Sequence, residues 1–345
     1  MMRKIKSKSI PHRGILTGIV LLALVLGTSG TRVRGDFHQD PPPDYEPPPG
    51  YEVVEGDMLV PIGSMKPGTT YCPLLWPGGV VPYEFDGNVS AENQTRMLEA
   101  MAEWEAVATV DFVPRDDQDD YVHIQASSSV NNSMVGIQGG EQIINIVSWN
   151  SKFTIAHELG HCLGYLHEQS RADRDNYVLI NWDHICQDCC RDGEPCDYNF
   201  EMREEGCGEY GPYDFDSVMH YGECDFSACG RAGCEADPAS CRTITVLPPN
   251  EQWQSVIGQR DHLSYLDRTT MSFLYPQPGW RFVDDSYPLN GWGGFGAPYN
   301  DFKYAVAHTP TGGTLWVQPG YYSAVGTYDR AMTIRAPLGG VTLGN

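Results

Sequence analysis

The stretch His157-Glu158-Leu159-Gly160-His161-Cys162-Leu163-Gly164-Tyr165-Leu166-His167 constrains this chain more than any other. Residues four apart share a helical face, so His157 and His161 can bring both imidazoles to one metal ion. Gly164 can take the backbone conformation that stops the helix and turns the chain. His167 then returns as a third nitrogen ligand. Three protein ligands leave a fourth coordination position open, which is the arrangement of a catalytic zinc. Glu158, next to the first ligand, is placed to take a proton from water at that position. Two surface histidines on an amphipathic helix would need neither Gly164 nor His167 at these offsets.

A second element supports the first. Ser217-Val218-Met219-His220-Tyr221 places a methionine 52 residues beyond His167 (219 − 167), and the long histidine pattern with a later methionine turn is the metzincin signature. With Trp76-Pro77-Gly78-Gly79-Val80-Val81-Pro82-Tyr83 and the run from His157 through Val178, the chain resembles the astacin family of zinc metalloproteases over about residues 54–275. The resemblance implies an α+β metzincin-type domain: a twisted, mostly parallel sheet, two long helices and an irregular, disulfide-rich lower half. It implies one zinc ion on His157, His161 and His167, with Glu158 as general base. Tyr221 would be a hinged tyrosine that ligates zinc at rest and supports the tetrahedral oxyanion during peptide hydrolysis. Met219 would form a packing floor under the metal, and Glu168 would anchor the amino terminus freed by activation. Arg171, Asp173, Arg174, Asp175 and Asn176 match a stretch of structural polar contacts. The implied function is a secreted endopeptidase made as a zymogen and acting on proteins or peptides.

The resemblance extends upstream. Val54-Glu55-Gly56-Asp57 is similar to the F-x-G-D motif by which astacin precursors hold an aspartate over the zinc, with Val54 where phenylalanine is usual. A carboxylate is a competent zinc ligand, so Asp57 is the expected switch residue, and the mature terminus is expected within residues 67–71. Thr109, Asn131 and Trp149 stand where the family's usual disulfides would lead one to expect cysteines.

Export is written at the start of the chain. Residues 1–35 hold seven basic residues and no acid, and Arg3, Lys4, Lys6, Lys8 and Arg13 precede an apolar run at 15–26 with small residues after it. The pattern reads as a signal peptide, and the run is too short for a membrane span. Residues 1–30 are therefore the expected signal, 31–68 a Pro-rich, acidic prosegment, 69–276 the catalytic domain and 277–345 a Gly-rich, β-rich module. The segment from 36 to 345 carries 16 − 45 = −29 charges, which repel phosphate backbones and anionic lipid surfaces. Nucleic acid and stable membrane association after signal removal are excluded on that ground. Nine of the 11 cysteines fall between 186 and 241, a density that reads as a local disulfide framework in an exported chain. Cys186-Gln187-Asp188-Cys189 has no second C-x-x-C at ribbon-like spacing and is not read as a further zinc site. The odd count leaves one thiol over, and Cys162, within the metal-binding helix, is the candidate.

Periodicity supplies the rest. Ser90 is expected to cap a helix reaching about Ala108, with Met97, Met101, Trp104 and Ala108 on one face. Strands are expected at 80–85, 110–113, 121–125 and 142–147, and a last helix within 255–275. After Tyr275-Pro276 the composition changes to 12 glycines, no cysteine and balanced charge. The alternation of strand and turn residues there resembles the opening turns of a right-handed parallel β-helix.

Overall fold

The computed structural model describes residues 41–42, 45–65, 72–190, 193, 195–203, 211–276, 279–291, 293–294, 298–318, 320–324, 326–336 and 341–344. The expected signal peptide, the expected mature terminus at 67–71 and Cys207 lie outside the described residues.

In chain order come β1 (Tyr51–Val54), β2 (Met58–Pro61), β3 (Val80–Phe85), α1 (Ala91–Glu105), β4 (Asp111–Pro114), β5 (Tyr121–Ala126), β6 (Asn132–Met134), β7 (Glu141–Ile146) and α2 (Lys152–Cys162). These strands form one seven-stranded sheet in the order β1-β2-β6-β7-β5-β3-β4. Its pairs are parallel except β1 with β2 and β6 with β7. The fold is thus α+β with a mostly parallel sheet. The strands of this sheet that sequence periodicity did not anticipate are β1, β2 and β6. Residues 58–59, within the expected prosegment, pair with β6, and the Ser133 N–H donates to the Asp57 carbonyl at 2.9 Å, so this segment continues the sheet and is not a loose extension. Tyr45, within the Pro-rich run, joins them by accepting from the Asn132 amide at 2.8 Å.

Helices α1 and α2 pack against the sheet. Ser90 Oγ accepts from the Asn93 amide to start α1, and the helix ends at Glu105, three residues short of the expected Ala108. Met97, Met101 and Trp104 are buried on its inner face, where the Trp104 indole N–H donates to the Ala156 carbonyl of α2 at 2.9 Å. Ser151 caps α2. Every residue from Thr154 to Cys162 is buried, which fits a helix whose sequence holds few polar side chains apart from the site residues. The last carbonyls of α2 would otherwise be orphaned. The Trp76 indole donates to the Cys162 carbonyl and the Tyr275 hydroxyl to the Leu163 carbonyl, each at 2.9 Å. Chain entry and chain exit both tie down the end of the metal-binding helix.

The lower half holds β8 (Val178–Ile180), α3 (Gly230–Ala236), α4 (Pro238–Cys241) and β9 (Ile244–Val246), followed by α5 (Tyr265–Leu274). Disulfides join Cys186 to Cys189, Cys190 to Cys196, Cys224 to Cys234 and Cys229 to Cys241. Cys72 is disulfide-bonded as well, and Cys162 is a buried free thiol. Where cysteines were expected, hydrogen bonds do the joining. Asn131 accepts from the amides of Val147 and Ser148, and the Thr109 amide donates to the Tyr275 carbonyl at 2.9 Å. Helix α5 starts ten residues later than the earliest expected position of 255. The start is fixed by a capping box between Ser264 and Asp267.

Beyond residue 279, β10 (Trp280–Val283), α6 (Phe302–His308), β11 (Thr314–Val317), β12 (Gly320–Ser323), β13 (Thr333–Arg335) and β14 (Val341–Gly344) follow. Strands β10, β11 and β13 pair in parallel, as do β12 and β14, the stacking expected of first β-helix turns. Among the described residues, no helix is long and apolar enough to cross a membrane.

Candidate metal centre

The break after α2 forms as the glycine requires. Gly164 has φ +105°, a conformation that favours glycine, and its amide donates back to the His161 carbonyl at 2.8 Å. The chain then brings His167 against the helix. Its Nε2 lies 3.4 Å from that of His157, and the His157 and His161 Nε2 atoms are 3.1 Å apart. Zinc bonds to imidazole of 2.0–2.1 Å in a tetrahedron put ligand nitrogens about 3.3 Å apart, so these residues fit that ion.

The opposite ring nitrogens fix the tautomers. His157 Nδ1 faces the Val218 carbonyl at 2.7 Å, His161 Nδ1 the Tyr165 carbonyl at 2.8 Å, and His167 Nδ1 the Glu55 carboxylate at 2.7 Å. Each of these partners accepts, so each Nδ1 carries the proton and each Nε2 presents a lone pair inward. All three rings are buried. Burial holds the pKa of His157 well below, and that of His161 below, the usual imidazole range; neutral imidazole is the form that ligates a metal.

Asp57 sits over the three nitrogens. Its Oδ2 is 3.0 Å from His157 Nε2, and its Oδ1 is 3.2 Å from His167 Nε2 and 3.6 Å from His161 Nε2. Gly56, at φ +78°, allows the turn that delivers it. Glu158 is buried beside them, and its Oε2 has no hydrogen-bond partner among the described residues. Burial, then the Asp57 charge, raises its pKa well above the usual carboxylate range. An orphaned acid beside converging nitrogens marks a place built for a further group.

The remaining expected residues fall around this core. Met219 lies beneath it, with its Sδ only 2.8 Å from where a Cβ on Gly160 would stand, so glycine in α2 is what lets the methionine turn approach. The Tyr221 ring lies 4.7 Å from that of His167, and its hydroxyl donates to the Glu55 carbonyl at 2.5 Å. Glu168 faces away from the nitrogens; it accepts from the Asp214 amide at 2.8 Å and lies 3.3 Å from Arg171. Burial pushes its pKa up to about 7.

The family model described as Astacin, a peptidase family, matches residues 69–276. The chain belongs to the astacin family. Astacin-like metalloprotease toxin 1 of Loxosceles intermedia is 33% identical over 254 residues, covering 72% of this chain and 86% of that protein. Zinc metalloproteinase nas-14 of Caenorhabditis elegans is 35% identical over 214 residues, 60% of this chain and 38% of the relative. Human Tolloid-like protein 1 is 36% identical over 221 residues, 62% and 20%. The chain therefore spans less than half the length of the last two. High choriolytic enzyme 1, a hatching enzyme zinc-protease from Oryzias latipes, has a solved structure 30% identical, covering 59% of this chain and 92% of that one, with a TM-score of 0.47.

Several residues of this astacin-family site escaped the motif reading. Asp267 accepts from Ser217 Oγ at 2.6 Å and the Val218 amide at 2.8 Å, pinning the methionine turn to α5; the Ser264-x-x-Asp267 box is the signal that marks it. Arg260 is buried and donates to the His220 and Gln259 carbonyls, a cation among buried acids that no local pattern announces. Glu55 and Arg203 form an ion pair at 2.8 Å against His167. The Arg171–Asn176 stretch is a polar network as expected, with Arg171 on Asp173 and Arg174 on the Gln169 carbonyl.

Proposed function

We propose that this chain is exported as a zymogen and becomes a zinc-dependent endopeptidase that hydrolyses peptide bonds in proteins. The proposed organisation is a signal at 1–30, a prosegment at 31–68, a catalytic domain at 69–276 and a β-rich module at 277–345. The observation that carries the reading is the convergence of three Nε2 lone pairs beside the orphaned carboxylate of Glu158.

His157, His161 and His167 would hold the zinc, which when bound supplies Lewis acidity to an attacking water and to the scissile carbonyl. Glu158 takes the proton of the water and passes it to the leaving amine, a role favoured by a carboxyl whose pKa is raised toward neutrality. Tyr221, once free of the Glu55 carbonyl, donates its hydroxyl hydrogen to the oxygen that gains negative charge. Met219 keeps the floor of the site apolar and fixed.

Latency comes from the seat that Asp57 takes in the precursor, where its carboxylate occupies the position needed by water and substrate. Glu168 is the proposed receiver of the new amino terminus. It borders a cavity of about 30 Å³ together with Asp214 and Asp267. Asp214 also lines an adjoining pocket of about 430 Å³ with Tyr177, Tyr213, Phe215 and Trp253. An α-ammonium arriving there would neutralise an acid cluster that holds its protons at a cost.

The test compares the processed wild type with Glu158→Ala on a denatured protein substrate. Cleavage is expected to fall about 10³-fold with zinc content unchanged. Equal cleavage, or none by the zinc-loaded wild type, rejects the reading. Asp57→Ala should make the unprocessed chain active; continued silence rejects the switch.

A further inference from the structure

Asp57 is one of two prosegment acids that reach the histidines. The turn Glu55-Gly56-Asp57 forms the tip of the β1–β2 hairpin and carries a carboxylate on each side of the glycine. They meet opposite ends of one ring. Asp57 Oδ1 lies 3.2 Å from His167 Nε2, and Glu55 Oε2 lies 2.7 Å from His167 Nδ1.

Glu55 is held more firmly than a passing contact requires. It is 2% exposed. Its φ of +51° is left-handed for a residue with a side chain, a conformation that persists only where the surroundings over-determine it. Arg203 Nη2 lies 2.8 Å from Oε2 and 3.1 Å from Oε1, and its Nε lies 3.3 Å from Oε1, the fork geometry that suits a carboxylate. Arg203 lies within the cysteine-rich stretch, ahead of the methionine turn, and its amide donates to the Ser170 carbonyl at 2.9 Å. The main-chain carbonyl of Glu55 takes the hydroxyl hydrogen of Tyr221. One residue thus engages the third ligand, the hinged tyrosine and a buried-side arginine at once.

We infer that Glu55 is a second positioning residue of the latent state, which with Arg203 as its counter-ion seats the hairpin tip and restrains Tyr221 and His167 whether or not the metal is bound. The inference rests on the zymogen reading, and it divides the hold on the prosegment into two parts. Asp57 grips through the metal, so its grip ends when the metal is removed. Glu55 grips through groups of the chain itself. Removal of the prosegment then frees the Tyr221 hydroxyl and leaves the Nδ1 of His167 without a carboxylate, so one event alters both the hinged residue and the support of a ligand.

Hydrogen exchange on the unprocessed full chain tests this, with zinc loaded and after chelation. The reporters are the amides of Ser133 and Val135, which donate to the Asp57 and Leu59 carbonyls, normalised to amides of β5 and β7. Wild type should keep its protection after chelation, while Glu55→Gln and Arg203→Met each lose tenfold or more. The double variant should lose no more than the larger single loss, as expected of two halves of one contact. Asp57→Asn in the zinc-loaded chain should show the protection of chelated wild type, and chelation should take nothing further from it. Wild-type protection in the stripped variants, or losses that add in the double variant, overturns the inference. Should Arg203→Met open β5 and β7 too, Arg203→Lys replaces it, keeping the charge without the fork, and no loss in that variant also overturns it. Failure of the zymogen reading is seen separately, as an unprocessed, zinc-loaded wild type that cleaves substrate as fast as the processed chain while the exchange pattern holds.

Discussion

At the residue scale, the three histidines are alike in the lone pair they present and unlike in what supports them. His157 and His161 lean on the main-chain carbonyls of Val218 and Tyr165, whereas His167 leans on the side-chain carboxylate of Glu55. The Tyr221 hydroxyl is bound to the carbonyl of the same residue, so the catalytic contribution proposed for it requires that bond to break. Tyr221→Phe in the processed enzyme should lower kcat about 10²-fold with KM little changed, because the lost donor acts on charge that develops in the transition state. Steady-state kinetics on a peptide substrate checks it; a change confined to KM would mean that the hydroxyl acts in binding. The ligands and Glu158 were legible from residue type and spacing alone. Glu55 was not: in a chain with 45 acidic residues, one more carries no signal until the fold puts it on an imidazole.

At the element scale, the helix start read from Ser90 matches the observed cap, since a cap is a contact within one turn and depends on nothing distant. The β1–β2 hairpin and β6 were not legible. Each strand is three or four residues long, too short for a period to emerge, and what pairs β2 with β6 lies more than 70 residues along the chain. Asp214, just ahead of the methionine turn, is where burial and the neighbouring Asp267 and Glu168 push a pKa up to about 8. The unfolded chain releases that proton near pH 4 and the folded chain near pH 8. The folded state therefore binds more protons in this window, and stability falls as pH rises through it. Asp214→Asn should remove that fall, leaving stability unchanged at pH 3 and raised above wild type at pH 9. Denaturant unfolding of the unprocessed chain at the two pH values measures it, and parallel curves for variant and wild type would reject the assignment.

At the scale of the whole molecule, the β-rich module is packed onto the catalytic fold. Phe273 of α5 meets Phe282 at 4.9 Å and Trp316 at 6.0 Å between ring centres, and all three are buried. Phe273→Ala should destabilise the chain by about 3 kcal/mol, measured as a lowered unfolding midpoint; a midpoint unchanged from wild type would show that the module contributes nothing through this seam. The sequence by itself determined the metal-binding pattern, the helix that bears it, the oxidised lower half and the family, because each depends on residue type at short separation. It also marked 276 as a change of composition. Tertiary structure alone decided that the β1–β2 hairpin extends the sheet, that its tip carries two carboxylates to one imidazole, that hydrogen bonds stand in for absent cysteines, and that the C-terminal β-strands dock through three aromatic rings. The physical reason is range: capping, ligation and turn chemistry act within a few residues, whereas edge pairing and apolar packing join segments whose nearness only the folded chain sets.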